Sequence, residues 1–389
     1  MDGGVVAVAV EAESKKVVVV TNIPNPYRVP FFNAVAQILA ESGLTLHVIF
    51  AARTYPRRMF KLDEKELRFS HEFLQSRYKL SLDGQNCIFY YSGLMFRLRR
   101  LKPEAVVVAG FSPGTIKTWL LSVFKDFSFF IWTGSVPWQV SGESKLRRLQ
   151  RRILLSRTSG CIAYSASTKE YLKGLGVADD HIHVALNTVD TDFFREQVNK
   201  IREKSKTQII EGNFLCISYL IPRKQVGLIL QAVAILAGKR NDFHLDIVGD
   251  GPQRAELERY SMGKGLSQMV TFHGFKQKEE LPEFLARASC LLFPTRFDVW
   301  GLVLNEAMAS GLPCLASINA GATRDLVQEG ETGFVVDFTH IRKVAEWMEW
   351  ILNHPRHIQE MGEKARCLIQ EKASLEQSAA SFCRPLIAK

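Results

Sequence analysis

Between positions 293 and 313 the chain reads FPTRFDVWGLVLNEAMASGLP, with two carboxylates, Asp298 and Glu306, separated by seven residues. An apolar run ends near Pro294, and a loop follows with Asp298, Trp300 and Gly301. A helical pattern then begins near Leu302 and runs to Ser310, ahead of Gly311 and Pro313, the usual order of residues at a helix end. Glycine at 301 lets the backbone approach a ligand closely. The free N–H groups of Leu302 and Val303 would open the helix and suit a phosphate. Glu306 lies about one turn further on and is expected to face the same cleft. Carboxylates accept hydrogen bonds in pairs, which suits the hydroxyls of a sugar or a ribose.

Positioning such groups needs a rigid frame, and the rest of the chain supplies the pattern of one. Short β-branched or aromatic runs at 17–20, 46–51, 105–109, 127–132, 161–164 and 183–186 alternate with helix-like stretches. The alternation recurs at 214–219, 244–248, 270–275, 289–293, 313–316 and 333–336. Buried runs separated by helices predict parallel sheets covered on both faces. The fold class expected is α/β: two doubly wound, Rossmann-like domains joined near 187–199, with the active site in the cleft between them. The domain bounds read as a loose tail over 1–14, a first domain over 15–190, a second over 191–370, and a C-terminal helix over 371–389, for which resemblance to similar proteins implies packing back on the first domain.

Composition narrows the setting. The chain has 389 residues, 47% of them hydrophobic and 23% charged, which fits a globular protein with real cores. Seven scattered cysteines without a CxxC pair read as reduced, buried thiols of a cytoplasmic protein rather than disulfides or a zinc site. The N-terminal stretch is acidic and lacks a basic leader. The most apolar long segment, 119–138, is interrupted by Lys125 and Asp126 and falls short of a membrane span. Residues 1–195 carry 26 Lys and Arg against 17 Asp and Glu, whereas the remainder carries 24 against 23. A basic first half predicts an anionic partner, and no nucleic-acid recognition motif accompanies it. Residues 145–157 (KLRRLQRRILLSR) place Leu146, Leu149, Ile153 and Leu154 at helical spacing and Lys145, Arg147, Arg148, Arg151 and Arg152 on the other face. Two readings follow: a helix packed on its own sheet with a solvated basic side, or a surface that meets anionic headgroups or a phosphorylated acceptor.

The 293–313 stretch resembles the donor-binding motif of retaining GT-B glycosyltransferases of family 4: Glu, seven residues, then Glu-Ala-Met-Ala. Asp298 takes the first position, and Glu306, Ala307, Met308 and Ala309 take the second. Residues 218–230 (SYLIPRKQVGLIL) resemble the family's Gly-Arg-Leu-x-Pro-x-Lys-Gly segment, with Lys224 on the phosphate-binding lysine. Ser218 stands at the usual Gly, and Tyr219 at the usual pyrophosphate-binding Arg; Arg223 is a neighbouring substitute. Two further turns match. LDIVGDGP implies that Gly249 and Gly251 allow close passage of the donor, and VTFHGF implies that Phe275 or Lys276 lies beside the base. The segment Asn187-Thr188-Val189-Asp190 resembles the family's interdomain segment, so the triplet Asp190-Thr191-Asp192 reads as linker chemistry, not a metal site.

In the first half, NIPNPYRVPFF at 22–32 falls where the family turns from the first strand toward the donor. Tyr27 and Arg28 are therefore the acceptor-side candidates, with a structural Pro-rich turn as the other reading. The PYR form resembles a bacterial subgroup associated with surface polysaccharides. The loop at 132–135 (WTGS) lacks the histidine common in the family, so no general base is assigned. The resemblance implies a retaining glycosyltransferase that moves a sugar from a nucleotide-sugar donor to a glycan or lipid-linked acceptor at the inner face of the membrane. Catalytic roles would fall to Asp298, Glu306 and Lys224, and donor binding also to Ser218, Gly249, Phe275, Gly301, Leu302 and Val303. No metal or other cofactor is expected. The rival readings are a catalytically impaired nucleotide-sugar-binding or scaffold protein of the same fold, and another GT-B enzyme such as a sugar epimerase.

Overall fold

Four consecutive valines, 17–20, are apolar toward both sides, and a strand that carries them needs cover on both faces. They form the centre of β1 (Lys15–Thr21), with Val18 and Val20 in the core on one face and Val17 and Val19 in the core on the other. The structure is a computed structural model that describes residues 15–55, 60–80, 87–137, 143–205 and 212–388. The expected tail over 1–14 lies outside the described residues.

The first sheet continues through β2 (Leu44–Phe50), β3 (Ser70–Phe73), β6 (Ala105–Ala109), β7 (Ser128–Thr133), β8 (Gly160–Ala163) and β9 (Ile182–Val184); β4 (Tyr78–Leu80) and β5 (Cys87–Phe89) pair separately as an antiparallel hairpin. Its order is β3-β2-β1-β6-β7-β8-β9, parallel throughout. The second sheet holds β10 (Asn213–Ile217), β11 (His244–Val248), β12 (Val270–Gly274), β13 (Cys290–Phe293), β14 (Cys314–Ser317) and β15 (Gly333–Val336), in the order β12-β11-β10-β13-β14-β15 and again all parallel. Every run read from the sequence as a strand lies in one of these two sheets. The strands not foreseen, β3 to β5, are short and largely half-exposed, so they lack the apolar run that marks buried parallel strands.

Each sheet reverses its order once, between β1 and β6 in the first and between β10 and β13 in the second. Loops at the carboxyl ends of strands on either side of such a switch point form a crevice. The two crevices open toward each other. The segment between the sheets carries Asp190, whose carboxylate accepts from the Phe193 N–H at 3.1 Å and caps the helix Thr191–Ser205. Lys278 lies 3.7 Å from the same carboxylate. The last helix, Leu375–Ile387, lies against Arg28–Glu41, with Ala379, Phe382, Cys383 and Leu386 in the core beside Val17, Val19 and Trp132. The chain thus returns to the sheet it began with, and the Thr188 hydroxyl donates to the Ala373 carbonyl at 2.5 Å where the crossing segments meet.

The helix Lys145–Leu155 corrects the packing read from its sequence. Leu154 and Leu155 face inward, but Leu146, Leu149 and Ile153 are 76, 54 and 47% exposed. On the supposed solvated side, Arg151 pairs with Glu143 at 3.0 Å, donates to the Tyr171 hydroxyl and stacks over Phe111, while Arg148 donates to the Gly174 carbonyl at 2.7 Å. The apolar stripe is the face turned out. Side chains long enough to reach partners on neighbouring helices occupy the arginine positions nearest the domain.

Candidate active site

The second sheet's switch point sets the donor-side groups. Lys224 follows β10 in a short turn, Pro222–Lys224, and Asp298 follows β13. Although 74 residues apart, they meet: Lys224 Nζ donates to Asp298 Oδ2 at 2.5 Å. Arg223 lies 3.8 Å from the same carboxylate and donates to the Phe297 carbonyl at 2.7 Å. Burial alone would raise the Asp298 carboxyl, but Lys224 and then Arg223 overcome it and hold the group below its ordinary value. Lys224 is therefore already charge-paired, and a phosphate has to share it with Asp298.

Gly301 takes the left-handed conformation, φ +109, at the N-cap of Leu302–Ala309. The turn needs glycine because the positive φ strains other residues and because a Cβ would come within 2.8 Å of the Phe293 ring. The N–H groups of Leu302 and Val303 have no acceptor among the described residues, and both residues line the cleft. The helix is tied to the interdomain segment through two buried bonds. Trp300 Nε1 donates to Asn305 Oδ1 at 2.8 Å, and Asn305 Nδ2 donates to the Asn187 carbonyl at 3.2 Å.

Glu306 faces the same cleft. Burial pushes its carboxyl up to about 8, and Lys278 pulls weakly the other way. No donor reaches that carboxylate within hydrogen-bonding distance among the described residues. It is an acceptor waiting for hydroxyl donors, and its proton affinity is high until they arrive.

Other donor-side positions fall into place differently. Ser218, Tyr219, Phe275 and Lys276 line the cleft. Gly249 also lines it, and packing by itself requires glycine there. At φ +137, a Cβ there would sit 1.8 Å from the Ser218 carbonyl oxygen, because the loops after β10 and β11 lie one on the other. Gly251 is shut in likewise, 2.4 Å from the Leu220 carbonyl oxygen.

Opposite, the first sheet's switch point contributes Tyr27 and Arg28, which follow β1 and line the same cavity of about 700 Å³. The loop after β7 comes close to the second domain. A Cβ on Gly134 would lie 2.5 Å from both Tyr164 and Val299, so the place where a histidine was sought is filled by neighbours. Residues not singled out from sequence as site groups complete the wall, Asn187 and Tyr164, while Lys278 lines a smaller adjoining cavity that also touches Tyr27 and Glu306. Asn187 lies in the segment read as a linker; Tyr164 ends a strand run, and neither it nor Lys278 carried a separate signal.

Two doubly wound sheets facing each other across a cleft of this kind define the GT-B class. Solved structures share this fold: that of Anabaena Alr3699/HepE in complex with UDP matches with a TM-score of 0.74 at 15% identity, over 96% of this chain and 100% of that one. A glycosyltransferase from Rickettsia africae matches with a TM-score of 0.75 at 16% identity, over 96% and 99%. Two family models divide the chain between them: Glycosyltransferase Family 4 over residues 31–193 and Glycosyl transferases group 1 over residues 197–367. The chain belongs to the family 4 glycosyltransferases of group 1. Among relatives, the GDP-mannose-dependent alpha-(1-6)-phosphatidylinositol monomannoside mannosyltransferase of Mycolicibacterium smegmatis is 35% identical over 159 residues, 39% of this chain and 41% of that one. The alpha-D-kanosaminyltransferase of Streptomyces kanamyceticus is 30% identical over 161 residues, 41% and 42% of the two chains. The chain thus spans about two fifths of the length of these relatives.

Proposed function

We propose that the chain transfers one sugar from a nucleotide-sugar donor to an acceptor hydroxyl, as a step in building a cell-surface glycan on a glycan or lipid-linked acceptor. The observation that carries this reading is the convergence, in one cleft, of Lys224, the open N–H groups of Leu302 and Val303, and the unsatisfied Glu306 carboxylate, opposite Tyr27 and Arg28. The first groups suit a diphosphate, and Glu306 suits the hydroxyls of the sugar. Relatives named as transferases of mannose and kanosamine support the class of reaction.

The chemistry proposed retains the anomeric configuration. The bond from the sugar's anomeric carbon to the diphosphate oxygen breaks as the acceptor oxygen bonds on the same face, and the acceptor proton passes to the departing phosphate. Lys224 and the helix N-terminus stabilise the negative charge that develops there, with positioning doing the remainder. These cationic and dipolar groups support a reaction without metal.

Work in the cytoplasm, at the inner face of the membrane, is part of the same proposal. Its support is the outward stripe of Leu146, Leu149 and Ile153, with Phe124 74% exposed at the end of the neighbouring helix. Exposed Lys125, Lys145 and Arg147 flank it. Apolar side chains ringed by cations suit an anionic bilayer surface. Among the described residues no helix is long and apolar enough to cross a membrane.

A panel of nucleotide sugars, screened for thermal stabilisation and then for transfer, tests the function. Stabilisation by one nucleotide family and release of its nucleoside diphosphate with acceptor are expected. A folded protein stabilised by none of them would overturn the reading.

A further inference from the structure

Arg28 sits in an unusual place for a cation. It is 8% exposed, and its guanidinium carbon lies 4.0 Å from the centre of the Trp132 ring, 5.1 Å from that of Tyr164 and 5.2 Å from that of Tyr27. No carboxylate pairs with it among the described residues. The Tyr164 hydroxyl is close enough to interact with it, and Arg28 in turn favours the ionised form of that hydroxyl against the effect of burial. Aromatic rings cover the faces of a guanidinium but leave its in-plane N–H groups, five in all, to find acceptors at the edge. A buried charge without a counter-charge is costly unless something supplies one.

The fold explains why the position is held. Arg28 opens the helix Arg28–Glu41 directly after the stiff loop with Pro24 and Pro26, and its own N–H donates to the Asn25 carbonyl at 2.8 Å. That loop leaves β1 at the first sheet's switch point, so the residue is delivered to the cleft by the backbone. Arg28 lines the cavity there. A second unsatisfied group lies on the same wall: Asn187 Oδ1 is buried and has no donor among the described residues. One side of the cleft therefore offers an unneutralised cation and a spare acceptor, the complement of a ligand with an oxyanion and a hydroxyl.

We propose that Arg28 is an anion-binding residue of the acceptor side, which selects acceptors that carry a phosphate or carboxylate near the reacting hydroxyl. The inference rests on the glycosyltransferase reading for the word acceptor, but not for the binding of the anion. Phosphate and carboxylate share the planar pair of oxygens that a guanidinium fork matches. The donor's own diphosphate is the other source of that chemistry, and Lys224 with the Leu302–Ala309 N-terminus already meets it.

The test uses the full chain, inorganic phosphate as the probe, and a nucleoside diphosphate from a panel of UDP, GDP and ADP to fill the donor side. Wild type is expected to bind phosphate while the nucleoside diphosphate is bound. Arg28→Met keeps the apolar stem within its ring of aromatics, and it should weaken phosphate binding about tenfold or more. It should leave nucleoside diphosphate affinity within about twofold. Arg28→Lys keeps the charge without the fork and should fall between the two. Circular dichroism and melting of both variants confirm that they are folded; if Arg28→Met does not fold, Arg28→Lys decides by the same comparison. Equal phosphate binding by the folded variants overturns the proposal, as does wild type that binds no phosphate. A parallel loss of nucleoside diphosphate affinity overturns it too, and assigns the anion to the donor. If wild type binds no nucleoside diphosphate, the donor-site reading fails instead, and phosphate titration of wild type against Arg28→Met and Lys224→Ala still decides which cation holds the anion.

Discussion

Glu306→Gln should make the protein more stable and less active, and the gain in stability should grow with pH. The carboxyl has been moved from an ordinary 4.5 to about 8 because it is buried in the cleft, with Lys278 only partly offsetting this. A folded-state value raised above the unfolded one means that the proton binds more tightly in the folded protein. The associated stability is complete below about pH 4.5 and is lost as pH rises through 8. Glutamine matches the protonated form in shape and carries no charge, so variant and wild type should be equally stable near pH 4. At about 1.4 kcal/mol per tenfold change in proton affinity, the variant should lead by about 2 kcal/mol at pH 6 and by about 5 kcal/mol above pH 8.5. These are ceilings, because cleft water reaches part of the carboxylate. Urea unfolding of both proteins without ligand, from pH 4.5 to 9, measures the difference. In transfer assays the variant should lose about a hundredfold in kcat/KM, since an amide accepts fewer bonds from the sugar hydroxyls than a carboxylate. A stability difference that is flat with pH would refute the burial argument, and wild-type kcat/KM would refute the site assignment.

Gly249→Ala should lower stability by about 3 kcal/mol or more, because its Cβ would lie 1.8 Å from the Ser218 oxygen at a φ of +137; an unchanged melting temperature would show that the two loops part easily. Replacing Leu146 and Leu149 with Asp should abolish co-sedimentation with anionic vesicles, whereas Arg147→Gln should reduce only its salt-sensitive part. Equal binding of wild type to neutral vesicles, or binding untouched by the leucine changes, would remove the membrane from the proposal. Transfer should survive EDTA at wild-type rate, and a full loss restored by magnesium would show that Lys224 and the helix N-terminus do not suffice.

Local order along the chain was enough for the frame. Each buried parallel strand announces itself as an apolar run, because both of its faces must be covered, and the turn from β13 into Leu302–Ala309 is written in one continuous stretch with glycine where φ is positive. The positions of Asp298 and Glu306 could be read for the same reason, at a strand end and a helix start, whereas Lys224 was placed by its resemblance to the family's motif. Tertiary structure decided what those groups do to one another. Lys224 and Asp298 are 74 residues apart, and only the switch point brings them to 2.5 Å; the charge state of Glu306 depends on how much water the assembled cleft excludes. Helical spacing showed that Leu146, Leu149 and Ile153 share a face, but it could not show that the face has no partner among the described residues. It likewise could not show that Arg151 would turn inward to Glu143. Arg28 is the same case from the other side, a loop residue by sequence whose burial comes from Trp132 and Tyr164, each more than a hundred positions away. Periodicity fixes which side chains point together, while burial, pairing and ionisation depend on surfaces that distant segments bring, and those exist only once the chain has folded.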